Sequence, residues 1–172
     1  FRIKMWKSMS GYVNGRTKVC IMVETAQALA RIDDILAVKG VDEIFIGLND
    51  LHISMGLSFM FELLSDGLVE YVANKCKAKG VPFGFGGIAR IGDGMLPAER
   101  ILAEHVRLGS SSVILSRTFK GEVGKNAGEK VDLSEEVQKV RTAMDTIKTW
   151  SVKDYQQNCE IIAKVVKEII NR

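Results

Sequence analysis

Four short apolar runs alternate with longer stretches of helical period along this chain. The runs are Val19 to Val23, Ile44 to Gly47, Val81 to Gly87 and Ser112 to Ser116. Each is brief, rich in β-branched or aromatic residues, and continuous more than alternating, which is the pattern of parallel strands buried on both faces. Between them, Ala26 to Val38 carries Ala28, Leu29, Ile32, Ile35 and Leu36 at helical spacing, with Thr25 placed to cap its start and Gly40 to close it. Phe59 to Leu64 predicts a short helical turn ended by Asp66-Gly67. Leu68 to Lys79 predicts a helix stopped by Gly80, and Pro97 to Leu108 one that opens on proline and ends at Gly109. Strand and helix thus alternate at a period of roughly 30 residues, the size of a βαβ step, which predicts an α/β fold with right-handed parallel crossovers.

Beyond the fourth run the pattern changes. Gly121 to Lys130 is polar and glycine-containing and predicts a mobile loop. Ser134 to Trp150 and Val152 to Ile169 predict two amphipathic helices, with Ser151 and Asp154 spaced as a capping box between them. The last carries a broad apolar stripe: Val152, Tyr155, Cys159, Ile162, Val166 and Ile169, widened by Ile161, Val165 and Ile170. Such a stripe needs a partner surface, either on the same domain or on another subunit. The division expected is residues 1–120 as strand–helix units and 121–172 as a loop and helices for packing or oligomerisation.

Composition leaves this picture in place. The 172 residues are 47% hydrophobic and 26% charged, an ordinary globular balance that excludes a disordered tail or a disulfide miniprotein. The net charge of +3, without basic clusters, argues for neither nucleic acid nor a membrane surface. No run of apolar residues is long enough to span a bilayer. Cys20, Cys76 and Cys159 lie at wide spacings outside any metal or redox motif and read as small core residues in a reducing, cytoplasmic compartment. The chain begins with Phe1, from which a removed or unlisted upstream segment is expected.

Two carboxylates stand out. Glu24 directly follows the first strand, and Asp50 follows the second, 26 residues on. Adjacent parallel strands lie about 4.8 Å apart, so both would project from neighbouring strand tips on the face where α/β proteins place their sites. Like charges that close favour a cation between them, and Mg²⁺ or Mn²⁺ suits two carboxylates with remaining positions left to water and substrate. The alternative is two helix-start residues stabilised by backbone N–H groups. Gly47, Leu48 and Asn49 form with Asp50 a turn whose N–H groups could bind a carboxylate, or simply an ordinary turn. Gly84, Gly86 and Gly87 look superficially like a phosphate cradle but lack a P-loop lysine, so close packing at a strand end is the better reading. Arg90 could reach an anion at that face or remain a solvated loop residue. His52 could line the same mouth, His105 falls on an apolar helix face, and Ser116 and Arg117 end the fourth strand. No serine or cysteine sits in a nucleophile setting, so a hydrolytic triad is not expected.

The stretch IMVETAQALARIDDILAVKGVDEIFIGLNDLHISMG resembles the HpcH/HpaI aldolase/citrate lyase family: an apolar strand ending in Glu, a helix, Gly-Val-Asp, a second strand, and a Gly-x-x-Asp-Leu turn followed by Gly. FGFGGIAR and the segment to VILSRTF are similar to the family's last two units. The resemblance implies a (β/α)₈ TIM-barrel type of fold, of which this chain supplies about four βα units plus C-terminal helices. It also implies a metal-dependent carbon–carbon lyase acting on a 2-oxo acid through a metal-bound pyruvate-like enolate. Glu24 and Asp50 match the family's metal carboxylates, and Gly47, Leu48 and Asn49 the turn whose backbone holds the substrate carboxylate. Met22 stands where many members have glutamine, Leu48-Asn49 replaces Pro-Ala, and His52 replaces serine, which marks a divergent subgroup. The family's catalytic histidine, its acidic partner and its substrate-binding arginine belong to the first half of the barrel, so no catalytic residue is assigned here. The expected partners are a small-molecule 2-oxo acid and further copies of the chain, with no nucleic acid and no membrane. A citrate-lyase-like CoA ester lyase and a noncatalytic half-barrel binding module are the alternatives.

Overall fold

The computed structural model describes residues 17–121, Gly128 and residues 131–171. The loop expected over Gly121 to Lys130 lies for the most part outside these residues. Strands β1 (Cys20–Val23), β2 (Glu43–Ile46), β3 (Phe83–Ile88) and β4 (Ser112–Leu115) form one sheet in chain order, every neighbouring pair parallel. Helices α1 (Ala26–Ala30) and α2 (Ile32–Leu36) follow β1. Helices α3 (Leu48–Met55), α4 (Glu62–Ser65) and α5 (Leu68–Lys79) follow β2, and α6 (Ala98–Leu108) follows β3. Helices α7 (Leu133–Ile147) and α8 (Val152–Ile170) close the chain. The expected alternation is therefore present, although β1 and β4 each have a single strand neighbour among the described residues. The sheet described is open rather than a closed barrel.

The two faces of the sheet differ. Val23, Ile44, Ile46, Phe83, Phe85 and Ile88 point to one side and are buried beneath the helices. The core there divides in two, one part under α1 to α5 and the tail of α8, the other between the C-terminal halves of β3 and β4, α6 and α7. The opposite face carries Met22, Phe45 and Ile114, and Met22 and Ile114 are 45% and 52% exposed. The strands read as buried on both faces are thus covered on one among the described residues. Alternation puts Cys20 on that open face as well. It is exposed, unlike the core cysteine the apolar run suggested, whereas Cys76 is buried and Cys159 partly so. Lower on this face, the Glu43 carboxylate accepts hydrogen bonds from the Ser111 and Ser112 hydroxyls. Gly84 fits between them because a Cβ there would lie 2.5 Å from the Ser112 carbonyl oxygen and 3.0 Å from the Phe45 ring.

Local signals place most helix ends. The Thr25 hydroxyl accepts from the Ala28 N–H at 3.1 Å, Gly80 and Gly109 end α5 and α6 in the left-handed region, and Ser151 with Asp154 forms a complete capping box. The helix expected over Ala26 to Val38 is broken at Arg31, whose φ of −110° and ψ of 23° end α1 and begin α2. The α8 stripe is used more narrowly than its period suggests. Asn158, Ile162 and Val166 are buried against α6 and α4, while Val152 is 75% exposed. The buried centre of that face is polar: Asn158 Nδ2 donates to the Arg100 carbonyl at 3.1 Å and to Glu104 Oε1 at 3.2 Å. Glu104 Oε2 in turn accepts from Arg107 at 2.7 Å, and Arg107 also donates to Glu70 at 2.9 Å. No described helix is long and apolar enough to cross a membrane.

Candidate active site

Parallel register brings the carboxyl ends of all four strands to one edge. Val23 lies opposite Ile46, Ile46 opposite Phe85, and Ile88 opposite Leu115. Glu24 and Gly47 therefore leave β1 and β2 at the same level, and the Gly47 N–H donates to the Val23 carbonyl at 3.0 Å. The Glu24 side chain lies against Gly47. A Cβ at position 47 would sit 3.0 Å from Glu24 Cβ and 3.3 Å from its Oε2, so the missing side chain leaves the space the carboxylate occupies. Ala26 N–H donates to Ser54 Oγ at 3.0 Å, tying the turn after β1 to α3.

Gly47, Leu48, Asn49 and Asp50 do not form a free-standing turn. Gly47 precedes α3, and the other three are its first turn. Leu48 and Leu51, both buried, drive the helix to start there, and Gly56 at φ 71° ends it. The first turn of a helix leaves its N–H groups without intrahelical partners. Here the Leu51 N–H is the first to bond back, to Gly47 at 2.9 Å. Leu48, Asn49 and Asp50 thus present N–H groups with no acceptor among the described residues, at the positive end of the helix, where an anion is favoured. Asp50 is exposed in this turn.

These four residues line a cavity of about 520 Å³ over the open face of the sheet. Its far wall comes from Ser116, Arg117 and Thr118 after β4, and its floor includes Met22, Phe45 and Ile114. Phe59, Met60, Phe61, Met95 and Leu96 give most of the remaining wall an apolar character. Asp50 and Arg117 are its two charged lining residues among those described. No group of three or more metal-ligating side chains occurs among the described residues, and Glu24, unlike Asp50, is not among the residues that line the cavity.

The other candidates separate from this edge. His52 points back along α3, its Nδ1 3.2 Å from the Leu48 carbonyl, and does not line the cavity. Arg90 pairs with Asp93 at 3.1 Å and holds the loop after β3. Gly86 and Gly87 line the cavity floor, and a Cβ at Gly86 would meet Leu48 at 2.7 Å, so close packing explains that glycine. His105 is buried under the sheet, its ring stacked on Phe85 at 3.7 Å. Burial pushes its pKa down from 6.5 to about 3. Burial raises the Cys76 and Cys159 thiols to about 11 and shifts Cys20 upward as well, so none of them is poised as a thiolate. From the sequence alone, Arg117 reads only as a residue at the end of the fourth strand. Its place at the carboxyl end of a parallel strand was the available signal, but which cavity it faces depends on the loops after β2 and β3.

Residues 3–83 match the family model described as HpcH/HpaI aldolase/citrate lyase. Among similar proteins, a hydroxypyruvate/pyruvate aldolase of Rhizorhabdus wittichii is 34% identical over 92 residues, which cover 48% of this chain and 37% of the relative. A 2-dehydro-3,6-dideoxy-6-sulfogluconate aldolase of Pseudomonas putida is 35% identical over 92 residues, covering 50% of this chain and 34% of its own length. A hydroxypyruvate/pyruvate aldolase of Pseudomonas aeruginosa is 41% identical over 58 residues, covering 32% and 22%. The match thus spans between 22% and 37% of the length of these aldolases. Glu24, Gly47 and Asp50 all fall inside the segment, residues 3–83, that is similar to the HpcH/HpaI aldolase/citrate lyase family.

Proposed function

We propose that this chain carries the metal-holding part of a carbon–carbon lyase site, an aldolase acting on a 2-oxo acid. The observation that supports it is that Glu24 and the segment Gly47 to Asp50 leave the carboxyl ends of two adjacent parallel strands at the same level, with the Glu24 side chain against Gly47. The donor set fits a hard divalent cation, Mg²⁺ or Mn²⁺. It offers carboxylate oxygens without sulfur or imidazole, and it leaves positions for water and substrate. Bound there, such a cation supplies Lewis acidity at a substrate oxygen and lowers the energy of negative charge that develops on carbon–carbon cleavage.

The chain's own residues account for the rest. The N–H groups of Leu48, Asn49 and Asp50 hold the substrate carboxylate at the head of α3, where the helix dipole adds to the hydrogen bonds. The aromatic and methionine wall of the cavity gives the reacting carbons an apolar surface on that side. Met22 and Ile114 leave the inner sheet face open to a covering surface. A homo-oligomer in which further copies cover that face belongs to this proposal, and light scattering that finds only monomer at high concentration would remove that part of it.

Calorimetric titration of Mn²⁺ into the metal-free chain tests the metal site. The wild type is expected to bind one ion, and Asp50→Ala to lose at least tenfold in affinity with an unchanged circular dichroism spectrum. Equal affinity in the two proteins would place the metal elsewhere and end the proposal.

A further inference from the structure

We infer that Ser54 is a positioning residue for the two carboxylates: its hydroxyl fixes the turn that carries Glu24 to the helix that carries Asp50. The inference rests on the reading of Glu24 and Asp50 as metal ligands given above. Only Glu24 and Thr25 lie between the end of β1 at Val23 and the start of α1 at Ala26. Two hydrogen bonds bracket them, and both tie them to the segment that runs from β2 into α3. Before Glu24, the Gly47 N–H donates to the Val23 carbonyl at 3.0 Å. After it, the Ala26 N–H donates to Ser54 Oγ at 3.0 Å. The first joins two backbones and needs no particular side chain. The second depends on one hydroxyl.

The place of Ser54 on α3 gives that bond its consequence. Ser54 is four residues beyond Asp50 in the helix, and residues at that spacing share a face. The face of α3 that meets the turn after β1 is therefore the one on which Asp50 lies. Holding Ser54 to Ala26 fixes the rotation of α3 against that turn, and with it the placement of Asp50 relative to Glu24. Glu24 is confined from the same segment, since its side chain lies against Gly47, where a Cβ would sit 3.0 Å from Glu24 Cβ. The helices themselves do not call for this serine. Thr25 Oγ1 already caps α1 through the Ala28 N–H, and at the exposed position 54 alanine is the better helix former. Two carboxylates that share a cation repel one another without it, so a bond between the segments that carry them keeps the pair in place. Ser54 acts through Ala26 and takes no part in bond cleavage.

The test titrates Mn²⁺ into the full 172-residue chain by calorimetry, with thermal unfolding of the metal-free proteins alongside. Ser54→Ala is expected to bind Mn²⁺ about tenfold more weakly, the lower end of what losing a partner behind a metal ligand costs. Its unfolding temperature is expected to stay close to wild type, because the better helix former offsets one exposed hydrogen bond. Ser54→Thr keeps the oxygen and is expected to bind within about twofold of wild type. Wild-type affinity in Ser54→Ala, together with the loss in Asp50→Ala, overturns the inference and leaves the metal site standing. Unchanged affinity in Asp50→Ala overturns the metal reading, and the inference with it, whatever Ser54→Ala does. An equal loss in Ser54→Ala and Ser54→Thr removes the hydroxyl from the account and also overturns the inference. So does a fall in unfolding temperature at unchanged affinity, which leaves Ser54 a purely structural residue.

Discussion

Acid is expected to destabilise this fold through His105. The residue lies on α6 with its ring stacked on Phe85, and it is 4% exposed. The Ser110 hydroxyl donates to the Ser112 carbonyl at 3.0 Å, so the contact at 2.9 Å between His105 Nδ1 and Ser110 Oγ is donated by the ring. The neutral tautomer with hydrogen on Nδ1 follows, and Nε2 is left as a buried lone pair without a partner. Protonating Nε2 would create a charged donor with no acceptor, which is why burial holds the pKa at about 3 rather than 6.5. The unfolded chain takes up this proton below pH 6.5, while the folded chain does so only near pH 3. Stability therefore falls as pH drops through that window. At pH 5 the loss is about 2 kcal/mol, from 1.36 kcal/mol per pH unit over the interval below 6.5. Urea unfolding at pH 7 and pH 5 measures it. His105→Gln keeps a donor for Ser110 and removes the titration. Its own stability at pH 7 is lower through the lost stacking, but the drop between the two pH values should be smaller than in wild type by about 2 kcal/mol. An equal drop in both proteins would refute the argument, as would an imidazole NMR titration of His105 with a midpoint near 6.5.

Gly84→Ala puts a methyl group 2.5 Å from the Ser112 carbonyl oxygen, so β3 and β4 must separate locally. A loss of about 2 kcal/mol in thermal or urea unfolding is expected. Asn158→Leu removes the donor to the Arg100 carbonyl and to Glu104, leaving buried acceptors short of partners. A loss of about 2–3 kcal/mol is expected, along with faster amide exchange in α8.

The chain's own pattern determines the order and type of its elements. Continuous apolar runs such as IFIG form strands because β-branched and aromatic side chains need burial. Caps such as Thr25 and Ser151 end helices through contacts a few residues away, which a sequence displays directly. Glu24 is legible as the residue that ends β1 for the same reason, whereas Asp50, four residues beyond β2, falls in the first turn of α3. Tertiary structure decided what depends on distant partners. Cys20 is exposed because the face it occupies is uncovered among the described residues. The segment from Gly47 to Asp50 is the head of a helix because Leu48 and Leu51 find the core. The stripe on α8 narrows to Asn158, Ile162 and Val166 because Glu104 and the Arg100 carbonyl, more than 50 residues earlier, dictate its register. Arg117 faces the same cavity as Asp50 only because β3 places β2 and β4 two strands apart and the intervening loops enclose the space between them. Local preference acts through neighbours in the chain. The composition of a cavity wall is set by contacts between segments that the linear order does not bring together.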